Sequence, residues 1–304
     1  MRMSKATIAA CALAFAFGGV AAVATPHPQQ DGARVWPDRP LSDDWAKWNA
    51  PVAPFRIAGD LYYVGAANVA SYALRTSDGI VIFDTGFGQT VPQITANLRA
   101  LGMDPRDVRL ILTSHAHVDH VGGVAALKAA TGARLLASGQ DAALMARGGQ
   151  KDFAFEDELP YRPVLADRII RDGEVIRQGQ YRLTAHVTPG HTKGCTTWSF
   201  RTGTGKAARD VLFLCGTSAP GYDLVDNPVW PGITEAYRGT FRRVAAIPCD
   251  IVLVGHPQSI DLVGRAAKGT LADRAYCRKT ITDARVAFET EVARQEAGGA
   301  VGGD

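Results

Sequence analysis

The sequence predicts an α/β fold in which two mixed β-sheets pack face to face, with helices on the outer faces of both. Two observations lead to this prediction. Short apolar segments rich in β-branched residues occur beside segments with the apolar period of a helix. The two halves of the chain also repeat one plan of strands, a helix and a histidine directly after a strand. We therefore expect a four-layer αβ/βα sandwich with a polar site along one rim.

The composition provides for a large core and carries no strong charge bias. Apolar residues make up 46% of the 304 residues, charged residues make up 21%, and the formal net charge is +3. Two of the positive charges, Arg2 and Lys5, belong to the amino-terminal leader. These values give no case for binding nucleic acid or an anionic membrane surface.

The leader has the pattern of a secretory signal peptide. A basic start precedes the apolar, small-residue stretch Ala6 to Val23, and Ala22-Val23-Ala24 fits a small-x-small cleavage site. We predict a signal peptide over residues 1–24, and therefore a periplasmic protein with no membrane anchor after cleavage. Residues 25–44 are predicted to form an amino-terminal arm, residues 45–293 one domain, and residues 294–304 a disordered tail.

The elements of the amino half alternate between strands and helices. Ser77-Asp78-Gly79 is a turn signal, and Gly102 closes the first long helix. The predicted strands are Leu61–Val64, Ser71–Leu74, Ile80–Phe83 and Val108–Thr113, and the predicted helices are Thr90–Leu101, Val121–Ala130 and Ser138–Arg147.

The carboxyl half repeats the plan after an irregular segment, Gly148–Tyr161, that has no clear period. Ile169–Ile176 and Tyr181–Val187 are predicted strands with Asp172-Gly173 as a turn, and two more strands are expected between Cys195 and Cys215. The remaining predicted elements are the helix Ile233–Ala246, the strand Ile251–Val254 and the helix Thr270–Glu291.

A dense group of histidines follows the strand Val108–Thr113. The segment Ser114–His120 reads Ser-His-Ala-His-Val-Asp-His and therefore presents His115, His117, Asp119 and His120. Residues two apart in extended backbone can point the same way, whereas Asp119 and His120 come as the chain turns into a helix. Imidazole and carboxylate groups are the ligands that zinc prefers, and this loop offers more of them than one ion needs.

Two further histidines also stand directly after strands. His191 lies in Thr-Pro-Gly-His-Thr after Tyr181–Val187, and His256 lies in Val-Gly-His-Pro after Ile251–Val254. Because open α/β sheets place ligands at the carboxyl ends of strands, we expect both to join the first group. His186 lies within a strand and is interpreted as structural. Asp84, after the strand Ile80–Phe83, is either a further carboxylate ligand or, as we favour, a residue that orients the histidine loop.

Four cysteines remain once the leader, which contains Cys11, is removed: Cys195, Cys215, Cys249 and Cys277. In an oxidising compartment this number suggests two disulfides, for which the sequence allows three pairings. Free buried thiols and a metal-ligating Cys215 are the alternatives.

The histidine pattern resembles that of the metallo-β-lactamase superfamily, and further motifs resemble subclass B3 of the true metallo-β-lactamases. The resemblance runs from about Trp45 to about Arg285. Those motifs are Gly149–Phe153 (GQKDF), Ala166–Arg168, Asp172–Glu174, Gly190–Trp198 (GHTKGCTTW), Ser218–Tyr222 (SAPGY), Asn227-Pro228 and Pro248–Ile251.

The resemblance implies two zinc ions per chain. His115, His117 and His191 would hold the first ion, and Asp119, His120 and His256 would hold the second. It also pairs Cys195 with Cys215 and Cys249 with Cys277, and it makes Gly148–Tyr161 a rim over the site. A pairing of Cys215 would exclude that residue as a ligand.

The implied activity is hydrolysis of the β-lactam amide of penicillins, cephalosporins and carbapenems by a zinc-bound hydroxide, and thus antibiotic resistance. Asp119 and Tyr222 are then the catalytic residues, and Ser218 and Thr217 bind the substrate. We expect a monomer that acts on these small molecules. Some relatives have serine where this chain has Gly216.

A thioesterase or lactonase of the same superfamily is the alternative function. Such enzymes carry an aspartate after a strand, in a pattern like FxGD, that bridges both metals. Here the strand Val211–Leu214 is followed by Cys215-Gly216-Thr217, with no aspartate. The missing carboxylate favours the lactamase. A secreted zinc-binding protein without catalysis is a third possibility, which turnover of any ester, thioester or lactam would exclude.

Overall fold

The twelve strands in residues 40–299, the part of the chain that this computed structural model describes, form two mixed sheets. The first sheet contains seven strands in chain order: β1 (Phe55–Ala58), β2 (Leu61–Tyr63), β3 (Tyr72–Thr76), β4 (Gly79–Phe83), β5 (Val108–Leu112), β6 (Arg134–Ser138) and β7 (Arg168–Ile170). The second contains five: β8 (Val175–Gln178), β9 (Tyr181–Val187), β10 (Thr196–Thr202), β11 (Arg209–Leu214) and β12 (Ile251–Val254). The β4-to-β7 strands and the β11–β12 pair run parallel, and the remaining pairs are antiparallel.

Eight α-helices lie within residues 40–299: α1 (Asp43–Trp48), α2 (Val91–Ala100), α3 (Val118–Val121), α4 (Val124–Thr131), α5 (Gly139–Ala146), α6 (Ile233–Ala245), α7 (Leu262–Ala267) and α8 (Arg274–Glu296). None of these helices combines the length and the apolar character that crossing a membrane requires. The predicted signal peptide, residues 25–39 of the predicted arm and residues 300–304 of the predicted tail lie outside the described residues.

The inner faces of the two sheets share one apolar core. Side chains alternate along β4, so that Val81 and Phe83 face the second sheet while Ile80 and Ile82 face outward. Phe83 packs its ring on Phe200 and Phe213 of the second sheet, with centroids 5.4 and 5.9 Å apart. Aromatic pairs at these distances add to the free energy gained by burial.

Helices cover both outer faces. Ile82 and Ile111 pack with Ile94 and Leu98 of α2 on the first sheet. On the second sheet, Leu212 and Val252 pack with Val244 of α6 and Ile281 of α8. The predicted four-layer αβ/βα sandwich is therefore confirmed.

The prediction of a single strand over Ile169–Ile176 is wrong. The structure divides it into β7 and β8, which belong to different sheets. The division falls at the predicted turn, where Gly173 has φ +72° and donates its amide to the carbonyl of Ala185 at 2.8 Å. A backbone with positive φ cannot continue an extended strand, and glycine adopts it without steric cost.

The predicted helix Val121–Ala130 is also divided, into α3 and α4. The break falls at Gly122-Gly123, because the backbone there packs against the loop after β4. A Cβ atom on Gly123 would lie 2.8 Å from the carbonyl oxygen of Thr85. The strands β1 and β6 and the helices α1 and α7 were not predicted.

The last helix is longer than predicted at its carboxyl end. It continues to Glu296, so the predicted tail, which starts at 294, begins inside it. Gln295 explains the extension. Its side-chain Oε1 accepts the backbone amide of Leu224 at 2.8 Å, and its Nε2 donates to the backbone carbonyl of Tyr222 at 2.9 Å. These tertiary contacts hold a turn that has little apolar surface of its own.

Candidate metal centre

Three strand ends from both sheets meet at the candidate site. The loop after β5 carries His115, His117 and His120, the turn after β9 carries His191, and the turn after β12 carries His256. The loop after β5 is held to the second sheet, because the amide of Thr196 donates to the carbonyl of Ser114 at 2.7 Å. The predicted convergence of these histidines is present in the structure.

Asp84 fixes the loop after β5. Its Oδ1 accepts the amide of Ser114 at 2.7 Å, and its Oδ2 accepts the Ser114 hydroxyl at 2.6 Å. Oδ2 also lies 3.1 Å from Nδ1 of His120. Asp84 is fully buried and has φ +54°, a strained conformation for a residue with a Cβ. The structure therefore favours the orienting role over that of a ligand.

The first cluster contains His115, His117 and His191. One ligand atom of each lies within 4.8 Å of the others, and Nδ1 of His117 is 3.2 Å from Nε2 of His191. Nitrogen ligands about 2.0–2.1 Å from a tetrahedral zinc ion lie about 3.3 Å from one another. These two nitrogens are therefore spaced like two ligands of one tetrahedral zinc ion.

The second cluster is built around Asp119. Its Oδ2 lies 3.2 Å from Nε2 of His120 and 3.3 Å from Nε2 of His256. His115 also comes within 4.8 Å of Asp119 and His120, so the two clusters adjoin. We group His256 with Asp119 and His120, because the 3.3 Å spacing matches a shared ion more closely.

Each histidine has one nitrogen turned toward the clusters. In four of them the N–H group of the other nitrogen donates a hydrogen bond to an oxygen of the protein: His115 to Ser114 Oγ at 3.0 Å, His120 to Asp84 Oδ2 at 3.1 Å, His191 to the Ser218 carbonyl at 2.8 Å and His256 to the Asn68 carbonyl at 2.9 Å. We assign the ring protons from these partners. Partners of this kind fix the tautomer of a metal-binding histidine.

Buried nitrogens without a partner point to a cation. Among residues 40–299, Nε2 of His115 and Nε2 of His120 are buried and make no hydrogen bond. An unpaired polar atom in the protein interior costs free energy unless a ligand occupies its lone pair. The donor set of imidazoles and a carboxylate is one that zinc binds.

Electrostatics keep most of these rings neutral. Burial and the neighbouring His117 lower the pKa of His191 to about 3, and burial with the adjacent imidazoles holds the pKa of His115 well below its usual value. Burial also opposes charge on His120, but the carboxylates of Asp119 and Asp84 outweigh it and raise its pKa to about 10. A bound cation would displace that proton, as metals do when they bind histidine.

The rim residues predicted to act on substrate lie in different surroundings. Ser218 is exposed, Thr217 is half-buried, and neither hydroxyl has a hydrogen-bond partner within residues 40–299. The backbone carbonyl of Ser218 is in use, because it accepts from His191 and from the Tyr237 hydroxyl at 2.6 Å.

Tyr222, predicted as a catalytic residue, is buried beside the turn that carries His191. Its hydroxyl donates to the backbone carbonyl of His191 at 2.9 Å, and the side chain is 1% exposed. Phe153 and Phe155 pack edge-on against its ring, with centroids 5.1 and 5.8 Å away. The hydroxyl therefore helps to position His191 in this structure, and the catalytic role of Tyr222 stays a prediction.

Two buried aspartates near the site were not predicted. Asp152, in the irregular segment, has Oδ2 3.8 Å from Nε2 of His117. Asp141 on α5 accepts from the Thr192 hydroxyl and the Gly194 amide, each at 3.0 Å, and burial raises its pKa to about 7. The motif around Asp152 was visible in the sequence, but nothing in it indicated that the side chain turns inward.

Disulfides join the pairs implied by the resemblance. Cys195 is bonded to Cys215, and Cys249 is bonded to Cys277, with Cα atoms 5.9 and 6.2 Å apart. The first bond ties the turn carrying His191 to the strand before Gly216. The second ties the entry to β12 to helix α8.

Comparison with known proteins assigns the chain to a family of enzymes. The family model described as "Metallo-beta-lactamase superfamily" matches residues 64–256. The solved metallo-β-lactamase of Cronobacter sakazakii with a HARLDQ motif is 38% identical, with a TM-score of 0.79, and the match covers 83% of this chain and 99% of that one. A class B3 di-zinc metallo-β-lactamase from an Alaskan soil metagenome is 30% identical, with a TM-score of 0.76, over 83% of this chain and 98% of that one.

Curated relatives carry a different name. A hydroxyacylglutathione hydrolase of Rhodopseudomonas palustris is 29% identical over 147 residues, which is 47% of this chain. The match spans 51% of that relative's length. The similarity to the β-lactamase structures therefore extends over much more of both chains.

Proposed function

Because the chain belongs to the metallo-β-lactamase superfamily and, within it, to subclass B3, we propose that it is a zinc-dependent β-lactamase that hydrolyses penicillins, cephalosporins and carbapenems. The coarser statement, that the chain is a metallohydrolase, follows from the family. The choice of a β-lactam as substrate is the proposal.

Two zinc ions would be held by the two histidine clusters. His115 Nε2, His117 Nδ1 and His191 Nε2 would bind the first ion, and Asp119 Oδ2, His120 Nε2 and His256 Nε2 the second. The observation that carries this assignment is the set of spacings of 3.2, 3.2 and 3.3 Å between ligand atoms, all close to the edge of a zinc tetrahedron. The unpaired nitrogens of His115 and His120 support it.

Zinc supplies two kinds of chemistry when bound: it lowers the pKa of a water ligand to about 7, and it polarises a carbonyl oxygen. The protein fixes where this happens. Oδ2 of Asp119 faces two imidazoles, and its second oxygen is left to accept the proton of the attacking water. We expect the exposed Ser218 hydroxyl, and that of Thr217, to donate to the substrate carboxylate.

The segment after β11 separates lactamase from thioesterase chemistry. The pattern FxGD has its aspartate directly after the glycine, whereas this chain has Thr217 after Gly216, so no carboxylate at this position would bridge the two clusters. Without that bridge the second cluster retains an open position for the anionic nitrogen released when a lactam ring opens. Thioester cleavage is the second candidate, and the similarity to a hydroxyacylglutathione hydrolase over about half of each chain favours it.

Initial rates on five substrates test the proposal. Purified protein should hydrolyse a penicillin, a cephalosporin and a carbapenem, and exhaustive chelation should lower each rate about 100-fold or more. S-lactoylglutathione and an acyl-homoserine lactone should be poor substrates. His186→Ala serves as a control, because this ring donates to or accepts from Ser199 Oγ at 2.8 Å, away from the clusters. Efficient thioester or lactone cleavage without lactam hydrolysis would reject the β-lactamase assignment.

We further propose that the mature protein works as a monomer in the periplasm, where it confers antibiotic resistance. The leader and the two disulfides support this location, because such bonds persist in oxidising compartments. Cell fractionation with amino-terminal sequencing should find a periplasmic protein that begins at Thr25. A protein that keeps residues 1–24 in the membrane would contradict the proposal.

A further inference from the structure

The segment Gly148–Tyr161, here called the rim segment, approaches the candidate metal centre through Asp152 and through Phe155, whose ring packs on His117 with centroids 5.1 Å apart. The Asp152 carboxylate is buried, and its Oδ1 accepts the amides of Ala154 at 2.8 Å and Phe155 at 3.0 Å. The backbone of Asp152 also exchanges two hydrogen bonds with Glu156, at 3.0 and 3.1 Å. One carboxylate oxygen is thus committed to the rim segment itself, and Oδ2 is left facing His117.

His117 differs from the other four clustered histidines. Its Nδ1 faces His191, and its Nε2 is buried without a hydrogen bond among the described residues. Oδ2 of Asp152 lies 3.8 Å from this Nε2 atom, which is beyond the normal hydrogen-bond limit of about 3.2 Å. A cation on Nδ1 makes the Nε2–H group a stronger donor, which favours closing this gap.

Hydrogen bonds hold the rim segment at its base, and strained backbone flanks Asp152. At the base, the amide of Tyr161 donates to Gly148 at 3.0 Å, and the Tyr161 hydroxyl donates to Ala116 at 2.7 Å. On either side of Asp152, the exposed residues Lys151 and Glu156 have φ values of +56° and +47°. Positive φ in residues with a Cβ costs roughly 1–3 kcal/mol each, so the bonds of Asp152 must offset this strain.

We propose that Asp152 couples the rim segment to the metal position of His115, His117 and His191, so that metal binding orders the rim and the rim strengthens metal binding. The reciprocity follows from linkage, since a coupling free energy acts equally in both directions. This inference rests on the zinc binding of the proposed function. It adds a residue that touches neither metal nor substrate and acts by positioning His117.

Two matched variants test the coupling. Asp152→Asn keeps an oxygen for the amides of Ala154 and Phe155 but puts an amide group, which cannot accept from His117, in place of Oδ2. Asp157→Asn removes the same charge from the same segment. Asp157 is exposed, and its Oδ1 accepts the amide of Lys151 at 2.8 Å, a bond that asparagine retains.

The experiment has two readouts. The first is zinc affinity, measured by competition with a chromophoric chelator. The second is hydrogen exchange of residues 148–161 with and without zinc. In the wild type and in Asp157→Asn, zinc should slow exchange of the rim segment. Asp152→Asn should lose this protection and bind one of the two ions about 10–100-fold more weakly. Thermal unfolding confirms that both variants are folded.

If Asp152→Asn binds zinc as tightly as the wild type and zinc still slows hydrogen exchange of its rim segment, the proposed coupling is wrong, while the proposed function is unaffected. Equal losses in both variants would also overturn the coupling, because they would trace the effect to charge in general. A wild type that binds no zinc would instead overturn the proposed function, so the two failures are distinguishable.

Discussion

Each ligand cluster contains a histidine ring that packs directly on a glycine. A Cβ atom on Gly216 would lie 2.4 and 2.5 Å from ring carbons of His191, and one on Gly255 would lie 2.3 Å from a ring carbon of His120. Real Cβ atoms do not approach so closely, so these glycines are required where they stand. The serine that some relatives have at the position of Gly216 would not fit this arrangement.

Gly216→Ala should therefore weaken the first metal position by displacing His191. We expect zinc affinity of that position to fall at least about 10-fold, because the ring would lose its spacing to His117. Gly239→Ala is the control. It lies in α6 with open space around it, the nearest atom being 3.8 Å away, and should stabilise the helix by about 0.5–1 kcal/mol. Zinc titration of both variants is the measurement, and unchanged affinity in Gly216→Ala would contradict the packing argument.

Tyr222→Phe distinguishes positioning from catalysis. The variant leaves the buried carbonyl of His191 without its donor, which should lower the free energy of unfolding by about 1–3 kcal/mol. If the hydroxyl only positions His191, the turnover rate with saturating zinc should change by less than about tenfold. A fall of about 10²–10³-fold in the turnover rate, with unchanged stability, would support the catalytic role of the hydroxyl. Denaturant unfolding and steady-state kinetics together decide.

At the scale of elements, the sequence was most informative where apolar period and turn chemistry agree. Helices α2 and α6 begin and end within one residue of their predicted limits, since their apolar faces are continuous. The turn at Asp172-Gly173 was predicted, but the placement of β7 and β8 in different sheets was missed, because an apolar run says nothing about which sheet each half joins. Helix α8 was predicted too short, because Gln295 extends it through tertiary hydrogen bonds that no local pattern encodes.

The candidate site was predictable for a related reason. Open α/β sheets place ligands at the carboxyl ends of strands, so histidines directly after strands predicted a common site. His191 joins it although β9 runs antiparallel to both of its neighbours. The roles of Asp152, Asp141 and the carbonyl of Ser218 depend on where irregular loops fold back. Those loops have no period, and their partners lie far away in the chain.

The two disulfides should contribute differently. They close loops of 20 and 28 residues, for which chain entropy predicts about 3–4 kcal/mol each. Replacing Cys249 and Cys277 by serine should lower stability and leave zinc affinity unchanged, since this bond lies between β12 and α8. Replacing Cys195 and Cys215 should lower both, since Cys215 adjoins Gly216 and Cys195 closes the turn of His191.

Unfolding and zinc titration of the two double variants measure these effects, and peptide mapping without reduction confirms the pairing. Equal effects on zinc affinity from both pairs would argue against a special role of the Cys195–Cys215 bond. Free thiols at these positions would contradict the pairing itself.

At the scale of the whole described chain, the metal centre joins the two sheets. The first sheet supplies the loop with His115, His117 and His120, and the second supplies His191 and His256. Any ion bound to both sets of ligands must therefore resist separation of the sheets. Metal binding and global stability are linked through this arrangement, and the linkage is measurable without substrate.

Zinc should raise the melting temperature, because it binds the folded chain and not the unfolded one. At a free concentration 100 times the dissociation constant, one site adds about 2.7 kcal/mol, or roughly 5–10 °C for a chain of this size. Scanning calorimetry with chelator and after return of zinc measures the shift. His256→Ala should keep only the part of the shift that the first cluster supplies, whereas His186→Ala, outside both clusters, should keep all of it. A shift of the same size in His256→Ala and the wild type would contradict a second ion held by Asp119, His120 and His256.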